Sequence, residues 1–243
     1  MTLGTGAIQR RIVEPILAVV FPARCPACQT PLAAPTSGPL CRACWEGVPR
    51  HRQPVCACGV PVAVASPCGR CRRGLTPITL GASLGPYEGT LRLLLHELKY
   101  RGRRRVAPRL AQALLQTPEA GRVLGGSHVL LPVPLHPKKR RVRGFNQSEL
   151  LAREIASRTG LPLAASALKR LRNTRSQTGL SAAARRVNMR GAFAIRKKTA
   201  VAGRVVVLVD DVVTTGATTL ACARVLRAAA ASEVRLLSAA RAY

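Results

Sequence analysis

The spacing of apolar positions divides the chain into three stretches. Residues 1–22 have the amphipathic pattern of a short helix that ends at Pro22. Residues 23–74 are rich in Pro, Gly and Cys and contain no long periodic segment, so they offer too little apolar surface to fold by burial alone. In residues 75–243, short apolar runs alternate with segments of helical periodicity, which predicts one further domain of α/β structure.

The elements predicted in residues 75–243 alternate in type. Four leucines recur at helical spacing before Tyr100, whereas the run that begins at His128 is continuously apolar, as is typical of a buried strand. The predicted strands are Ile78–Leu84, His128–Val133, Arg204–Val209 and Val234–Ala239. The predicted helices are Thr90–Tyr100, Ala107–Leu115, Glu149–Arg158 (which Gly160 would end) and Thr218–Ala231. Strands alternating with helices favour a parallel sheet covered on both faces.

The cysteines are clustered. Of nine cysteines, eight fall between Cys25 and Cys71 in closely spaced pairs, which favours metal binding over a disulfide framework. One or two structural zinc sites with four thiolates each are predicted from the pairs Cys25 and Cys28, Cys41 and Cys44, Cys56 and Cys58, and Cys68 and Cys71. Consecutive pairs could share a site, or the first and third pairs could share one and the second and fourth the other. Cys222 lies in a predicted Ala-rich helix and is expected to be a buried free thiol.

Two acidic residues mark a candidate ligand site. Asp210 and Asp211 are the two aspartates of the chain, and they follow the apolar run Val205–Val209. A turn containing Gly216 and several threonines then leads into a helix. Ligands of open α/β sheets bind beyond the carboxyl ends of strands, and a helix N-terminus attracts phosphate. Adjacent carboxylates can accept hydrogen bonds from vicinal ribose hydroxyls, so this pattern is suited to a sugar phosphate.

The segment Val206–Thr218 resembles the thirteen-residue signature of type I phosphoribosyltransferases at every position. The resemblance implies that fold, a parallel sheet flanked by helices, for the domain that begins at residue 75. It also implies binding of phosphoribosyl pyrophosphate with Mg²⁺, in which the catalytic pair Asp210 and Asp211 holds the ribose and the turn holds the 5-phosphate. The implied binding residues are Val209, Asp210, Asp211, Val212, Thr214, Thr215, Gly216, Ala217 and Thr218.

Further motifs resemble the ComF family, which consists of competence-associated, phosphoribosyltransferase-like proteins with an N-terminal zinc module. The motifs are Tyr87-Glu88-Gly89, Leu98–Gly102, Pro132–His136, Arg143–Gln147 and the stretch from Arg170 to Phe193. The resemblance implies a pyrophosphate-facing loop formed by Pro132, Val133, Pro134, Arg143, Gly144, Asn146 and Gln147, and a mobile loop carrying Arg170, Gln177, Arg185 and Asn188. One departure concerns the second cysteine set, in which Val55 stands where the family usually has its first cysteine.

The net charge of +29 favours a polyanionic partner. An alternative is that the Arg-rich composition reflects the base content of the genome. Between Lys138 and Lys198, 17 Lys or Arg residues stand against two Glu residues, and base content explains this local excess less well than the charge of the whole chain. The expected partners are a ribose phosphate and DNA, especially single-stranded DNA, together with competence or recombination proteins. Trp45 is the single aromatic residue of the cysteine stretch, so contacts to phosphate are expected there rather than base stacking.

The segment Ile12–Phe21 is too short to cross a membrane and lacks a cleavage site, so the protein is expected in the cytoplasm. Two function classes remain open. One is a phosphoribosyltransferase or ribose-phosphate-binding protein linked to DNA uptake or processing. The other is a non-enzymatic single-stranded-DNA-binding protein that reuses the fold. The sequence shows no segment for recognition of an acceptor base.

Overall fold

The computed structural model of the protein describes residues 23–32, 38–173, 189 and 191–242. The helix predicted for residues 1–22, and Gln177, Arg185 and Asn188, lie outside the described residues. The described helices are α1 Arg42–Glu46, α2 Gly69–Arg72, α3 Gly89–Tyr100, α4 Val106–Leu115, α5 Pro118–Leu124, α6 Pro137–Arg143, α7 Gln147–Thr159 and α8 Ala217–Ala228. The strands are β1 Gly81–Pro86, β2 Val129–Pro132, β3 Leu168–Arg170, β4 Phe193–Ile195, β5 Val205–Val213 and β6 Glu233–Arg241.

A four-stranded parallel sheet in the order β1-β6-β5-β2 forms the centre of the domain. Side chains alternate across it. Val207 and Val209 of β5 pack with α3, α4, α5 and α7 on one face. Val206 and Leu208 pack with α8 and with the β3–β4 hairpin on the other. The predicted fold, a parallel sheet covered on both faces, is therefore confirmed. None of the helices in the described ranges has the length and apolar character that crossing a bilayer requires.

Several predicted boundaries shift. The strand predicted to end at Val209 continues to Val213, because β6 runs alongside it and pairs Asp210 with Ser238 and Val213 with Arg241. The acid pair therefore lies within β5 rather than after it. Arg170, expected on a mobile loop, is the last residue of β3 and pairs with Phe193 of β4.

Besides the short helices α1 and α2 of the cysteine segment, the helices α5 and α6 were not predicted. The basic helix α6 buries none of its residues, so it has no apolar periodicity to detect. The start of the short helix α5 could have been predicted from the sequence, since the Thr117 side chain accepts a hydrogen bond from Ala120 N–H and Pro118 occupies the first turn.

The cysteine segment lies directly against strand β1. Gly81 N–H donates a hydrogen bond to the carbonyl of Ala57 at 2.7 Å. The backbones are so close that a Cβ on Gly81 would lie 2.4 Å from the carbonyl oxygen of Cys58, and one on Gly85 would lie 2.0 Å from that of Pro49. Glycine at these two positions is what allows the segment to pack onto the sheet.

The outer strand on the other side, β2, is also accompanied by a non-strand segment. Leu130 N–H donates to the carbonyl of Pro162 at 2.8 Å, and the carbonyl of Leu130 accepts from Ala164 N–H at 2.9 Å. The backbone groups of β2 that face away from β5 are therefore partly satisfied at Leu130.

Candidate functional site

A cleft of about 980 Å³ opens at the carboxyl end of the sheet. The parts of the chain that line it include the end of β5 with the following turn, the loop after β2, the start of α7 and the second cysteine segment around Cys68. The first three are where parallel α/β folds place their ligands. The sequence therefore predicted the location of the cleft, but not the participation of the cysteine segment.

The buried pair Asp210 and Asp211 lies at the floor of this cleft, with 7% and 9% of the residue exposed. One carboxylate oxygen of Asp210 accepts hydrogen bonds from the Ser148 hydroxyl and from the Asp211 N–H, both at 2.9 Å. The Asp211 carboxylate forms an ion pair with the Lys99 ammonium at 2.7 Å. Helices α3 and α7 thus each supply one polar side chain that fixes the acid pair.

The two carboxyl groups have opposite pKa shifts. Burial, reinforced by the neighbouring charge of Asp211, raises the pKa of Asp210 to about 8. Burial alone would also raise the pKa of Asp211, but the Lys99 ammonium and hydrogen bonds hold it below its usual value. The proton of the pair is therefore favoured on Asp210 and the negative charge on Asp211, where Lys99 balances it.

The turn after β5 is shaped for an anion. Gly216 has a φ of +74°, a left-handed conformation that favours glycine, and it caps the twelve-residue helix α8. The first N–H groups of a helix have no partner within it and carry positive partial charge. Thr214, Thr215 and Thr218 line the cleft around them. Among the described residues, the buried hydroxyl of Thr215 has no hydrogen-bond partner, so a ligand or water is expected there.

The loop after β2 converges on the same cleft. Val133 N–H donates to the carbonyl of Val209 at 2.9 Å, and the Asn146 amide donates to the carbonyl of Val133 at 3.0 Å. The Arg143 guanidinium donates to the Gln147 side-chain oxygen at 3.1 Å and lies over the ring of Tyr100. Gln147 is buried, and its amide nitrogen has no hydrogen-bond partner in the described part of the chain. The side chains of Arg143, Asn146 and Gln147 thus form a second polar wall of the cleft, in addition to the acid pair and the turn after β5.

Of the described residues predicted to bind the ribose phosphate or to form the pyrophosphate-facing loop, all but three line the cleft. Val209 is fully buried inside the sheet, Pro132 ends β2, and Gly144 ends α6 in a left-handed conformation. These three residues shape the course of the backbone around the cleft and do not line it. Residues that line the cleft without having been predicted as binding residues include Lys99, Tyr87, Ser148, Arg70 and Arg73. Lys99 and Tyr87 belong to motifs noticed in the sequence, whereas nothing in the spacing of Arg70 pointed to this cleft.

The eight clustered cysteines form two groups of four, each with its sulfur atoms within 4.8 Å of one another. Consecutive pairs share a group, which decides between the two pairings left open by the sequence. Cys56 joins the second group despite its shorter spacing, because Gly59 in a left-handed conformation closes the tight turn after Cys58. Four convergent thiols fit tetrahedral zinc of structural type, with no position left for a substrate. Cys222 is fully buried and belongs to neither group, as predicted.

Comparisons with known proteins agree with this two-part organisation. A double zinc ribbon domain model matches residues 16–72, and a phosphoribosyl transferase domain model matches residues 146–242.

Curated relatives span nearly the whole chain. DNA utilization protein YhgH of Salmonella typhimurium is 37% identical over 90% of this chain and 96% of its own length. YhgH of Escherichia coli strain K12 is 33% identical, again over 90% of this chain and 96% of its own. Competence protein F of Haemophilus influenzae is 31% identical over 91% of this chain and 98% of its own. With a double zinc ribbon, a phosphoribosyltransferase fold and these relatives along nine-tenths of its length, the chain belongs to the ComF family.

Proposed function

We propose that this protein binds phosphoribosyl pyrophosphate, or a closely related ribose phosphate, in the cleft at the carboxyl end of the sheet. The observation that carries the proposal is the buried acid pair, which Lys99 and Ser148 hold beside the Gly216 turn. Asp210 and Asp211 accept hydrogen bonds from the ribose hydroxyls. The turn and the start of α8 hold the 5-phosphate through backbone N–H groups and threonine hydroxyls.

The second polar wall suits the pyrophosphate. Arg143, Asn146 and Gln147 line the cleft beside the loop after β2, and a guanidinium forms strong charge-assisted bonds to phosphate oxygens. Mg²⁺ prefers oxygen ligands and usually enters such sites on the substrate's phosphates, where it would shield part of their charge. Basic and hydroxyl groups dominate the polar lining, which suits phosphate groups better than a base. The proposal is therefore one of binding, and transfer to an acceptor is a separate step.

Calorimetric titration of the zinc-loaded protein with phosphoribosyl pyrophosphate and Mg²⁺ tests this proposal. We expect saturable binding by the wild type and at least a tenfold weaker affinity for Asp210→Asn/Asp211→Asn, because neutral amides are poorer acceptors for ribose hydroxyls (a lost charge-assisted hydrogen bond costs about 1.5–3 kcal/mol). Glu154→Gln, an acid of α7 that does not line the cleft, is the matched control. Failure of the folded wild type to bind, or equal affinity of the double variant, would contradict the proposal.

A second function, binding of single-stranded DNA, is favoured by the surface of α6. Lys138, Arg140 and Arg141 are exposed there, and Arg143 of the same helix lines the cleft. None of the α6 residues is buried, so the helix contributes little apolar packing that would explain its composition. We propose that the DNA backbone runs along this helix, in line with the DNA-related names of the relatives.

Salt dependence distinguishes such contacts from stacking or base recognition. For Lys138→Gln/Arg140→Gln/Arg141→Gln, the slope of log affinity for an oligothymidylate against log salt concentration should fall by about 2, since each lost contact to a single strand removes about 0.7. The control Arg92→Gln/Arg122→Gln/Arg224→Gln makes the same change of net charge at exposed positions away from the cleft. Equal slopes for the two triple variants would place the DNA elsewhere.

A further inference from the structure

The second cysteine cluster forms part of the cleft itself. Cys68, Gly69, Arg70 and Arg73 line it together with the acid pair and the phosphate turn. The first cluster is placed differently, since Cys25, Cys41 and Cys44 pack with the core on the α3 and α4 face of the sheet and do not line the cleft. The two metal sites therefore have different relations to any ligand.

Arg70 bridges this cluster and the turn after β5. Its guanidinium donates a hydrogen bond to the carbonyl of Thr215 at 3.0 Å, between residues 145 positions apart. The same guanidinium nitrogen lies 3.7 Å from where a Cβ on Gly216 would stand. A guanidinium has five N–H donors, and the bond to Thr215 uses one of them. A cation is thus held against the turn that would take a phosphate dianion.

Other cationic groups of the cleft are engaged differently. Lys99 is paired with Asp211, and Arg143 is bonded to Gln147 beside the loop after β2. Arg70 instead contacts the turn itself. A 5-phosphate seated on the turn would therefore meet the guanidinium of Arg70, and an arginine fork matches phosphate geometry well.

The position of Arg70 depends on the cysteine cluster. Helix α2, which carries Arg70, has four residues and buries none of them, so it cannot hold its own place. Its ends are tied by the thiols of Cys68 and Cys71, which lie with Cys56 and Cys58 in the second group of four. That group is in turn fixed to β1 by the close approach of Gly59 to Gly81.

We propose that Arg70 binds the ligand's 5-phosphate directly and that filling of the second zinc site and ligand binding strengthen each other. This inference rests on the proposed function and adds a residue and a coupling to it. Since zinc holds α2 in the position in which Arg70 meets the phosphate, ligand bound to Arg70 must in turn hold α2 and slow the loss of that zinc. Such reciprocity is required whenever two binding sites are coupled.

Affinities for ribose 5-phosphate and for inorganic pyrophosphate, measured separately on zinc-loaded protein, test the role of Arg70. Arg70→Ala should weaken binding of ribose 5-phosphate about tenfold, as expected for loss of a charge-assisted hydrogen bond, and leave pyrophosphate binding unchanged. The affinity of Arg70→Lys should fall between those of the wild type and Arg70→Ala, because lysine keeps the positive charge but lacks the planar guanidinium that can form two hydrogen bonds with a phosphate. Arg72→Ala, an exposed arginine of the same helix that does not line the cleft, is the matched control.

Zinc release to a chromogenic chelator tests the coupling without any measurement of activity. Ribose 5-phosphate should slow release of one of the two zinc ions several-fold in the wild type and in Cys25→Ala/Cys28→Ala, which retains the second site. It should have no effect on the zinc that remains in Cys68→Ala/Cys71→Ala. In Arg70→Ala the protection of the second zinc should be lost.

The outcomes distinguish failure of this inference from failure of the proposed function. If the wild type binds neither ligand, the proposed function fails and the inference fails with it. If the wild type binds ribose 5-phosphate but Arg70→Ala and Arg70→Lys both match Arg72→Ala, the site stands and the role of Arg70 is refuted. If the ligand protects neither zinc, or protects both alike, the coupling is refuted.

Discussion

Removal of both zinc ions by a strong chelator is expected to unfold residues 23–74 and to lower the thermal midpoint by about 10 °C or more. The described helices of this stretch, α1 and α2, have five and four residues and bury none. Among the described residues of this stretch, the remaining regular pairing consists of isolated bridges such as Arg24 with Pro31 and Val55 with Pro61. Leu32, Leu40 and Val48 pack on the core of the domain. Thiolate–metal bonds and this small apolar contact therefore oppose the chain entropy of the segment together.

Structural zinc contributes about 10 kcal/mol or more per site in small zinc-binding peptides. The effect on the whole protein is smaller, because the segment can unfold locally while the parallel sheet remains. What the sheet loses is the packing of Cys25, Leu32, Leu40 and Val48 on one face and of Cys56 and Cys58 on the other.

Metal analysis and scanning calorimetry check this expectation. Cys44→Ala and Cys71→Ala should each retain one zinc ion per chain, whereas Cys222→Ala, which removes a buried thiol outside both clusters, should retain two. If the protein is purified without zinc, or if chelation does not change its melting temperature, the thiols do not hold a structural metal.

Replacement of Lys99 by methionine is expected to lower the free energy of unfolding by about 3 kcal/mol at pH 8. The Lys99 and Asp211 side chains are 18% and 13% exposed, so their ion pair is largely removed from water. Although burial alone would lower the pKa of Lys99, the Asp211 carboxylate raises it overall. Without the ammonium, Asp211 becomes a buried carboxylate with no opposite charge beside it.

The loss of stability in Lys99→Met should grow as the pH rises. In the wild type the lowered pKa of Asp211 stabilises the fold above the usual carboxyl range, and this stability is lost as the pH falls. In Lys99→Met, burial raises the pKa of Asp211, so the folded variant binds a proton that the unfolded chain has released. The variant should therefore lose stability relative to the wild type as the pH rises from 5 to 8.

Urea unfolding at several pH values measures both effects. Lys99→Met/Asp211→Asn should recover most of the stability, because it removes the unpaired charge together with its partner. Lys138→Met, a change at an exposed lysine, should be close to neutral. A pH-independent loss that the second substitution does not rescue would mean that Lys99 acts by packing alone.

The sequence predicted the sheet, most of its covering helices and the place of the cleft, because strand and helix periodicities are local properties. The end of β5, by contrast, is not set by its local sequence. Aspartate is uncommon in strands, so Asp210 suggested an end, yet pairing with β6 carries the strand to Val213. The partner of Asp211 could not be predicted either, since nothing near Lys99 in the chain shows which residue its ammonium will meet.

The cysteine spacings predicted one or two metal sites but left the pairing open, because the spacing along the chain does not show which cysteine pairs meet in the fold. The packing of the second group on the sheet could not be predicted either. A Cβ on Gly59 would lie 2.8 Å from the backbone of Gly81, so any side chain there would collide with β1. Such an approach is a property of the folded surface, and for the same reason the place of Arg70 in the cleft was missed.

The contact between the cysteine segment and β1 also bears on self-association of the protein. An outer strand with open N–H and C=O groups recruits strands from other molecules, which begins aggregation. Here Gly81 is already bonded to Ala57 on that side of β1, and Leu130 of β2 is bonded to Pro162 and Ala164. Loss of zinc would uncover β1, so metal-starved protein should self-associate through that strand at concentrations at which the zinc-loaded form does not.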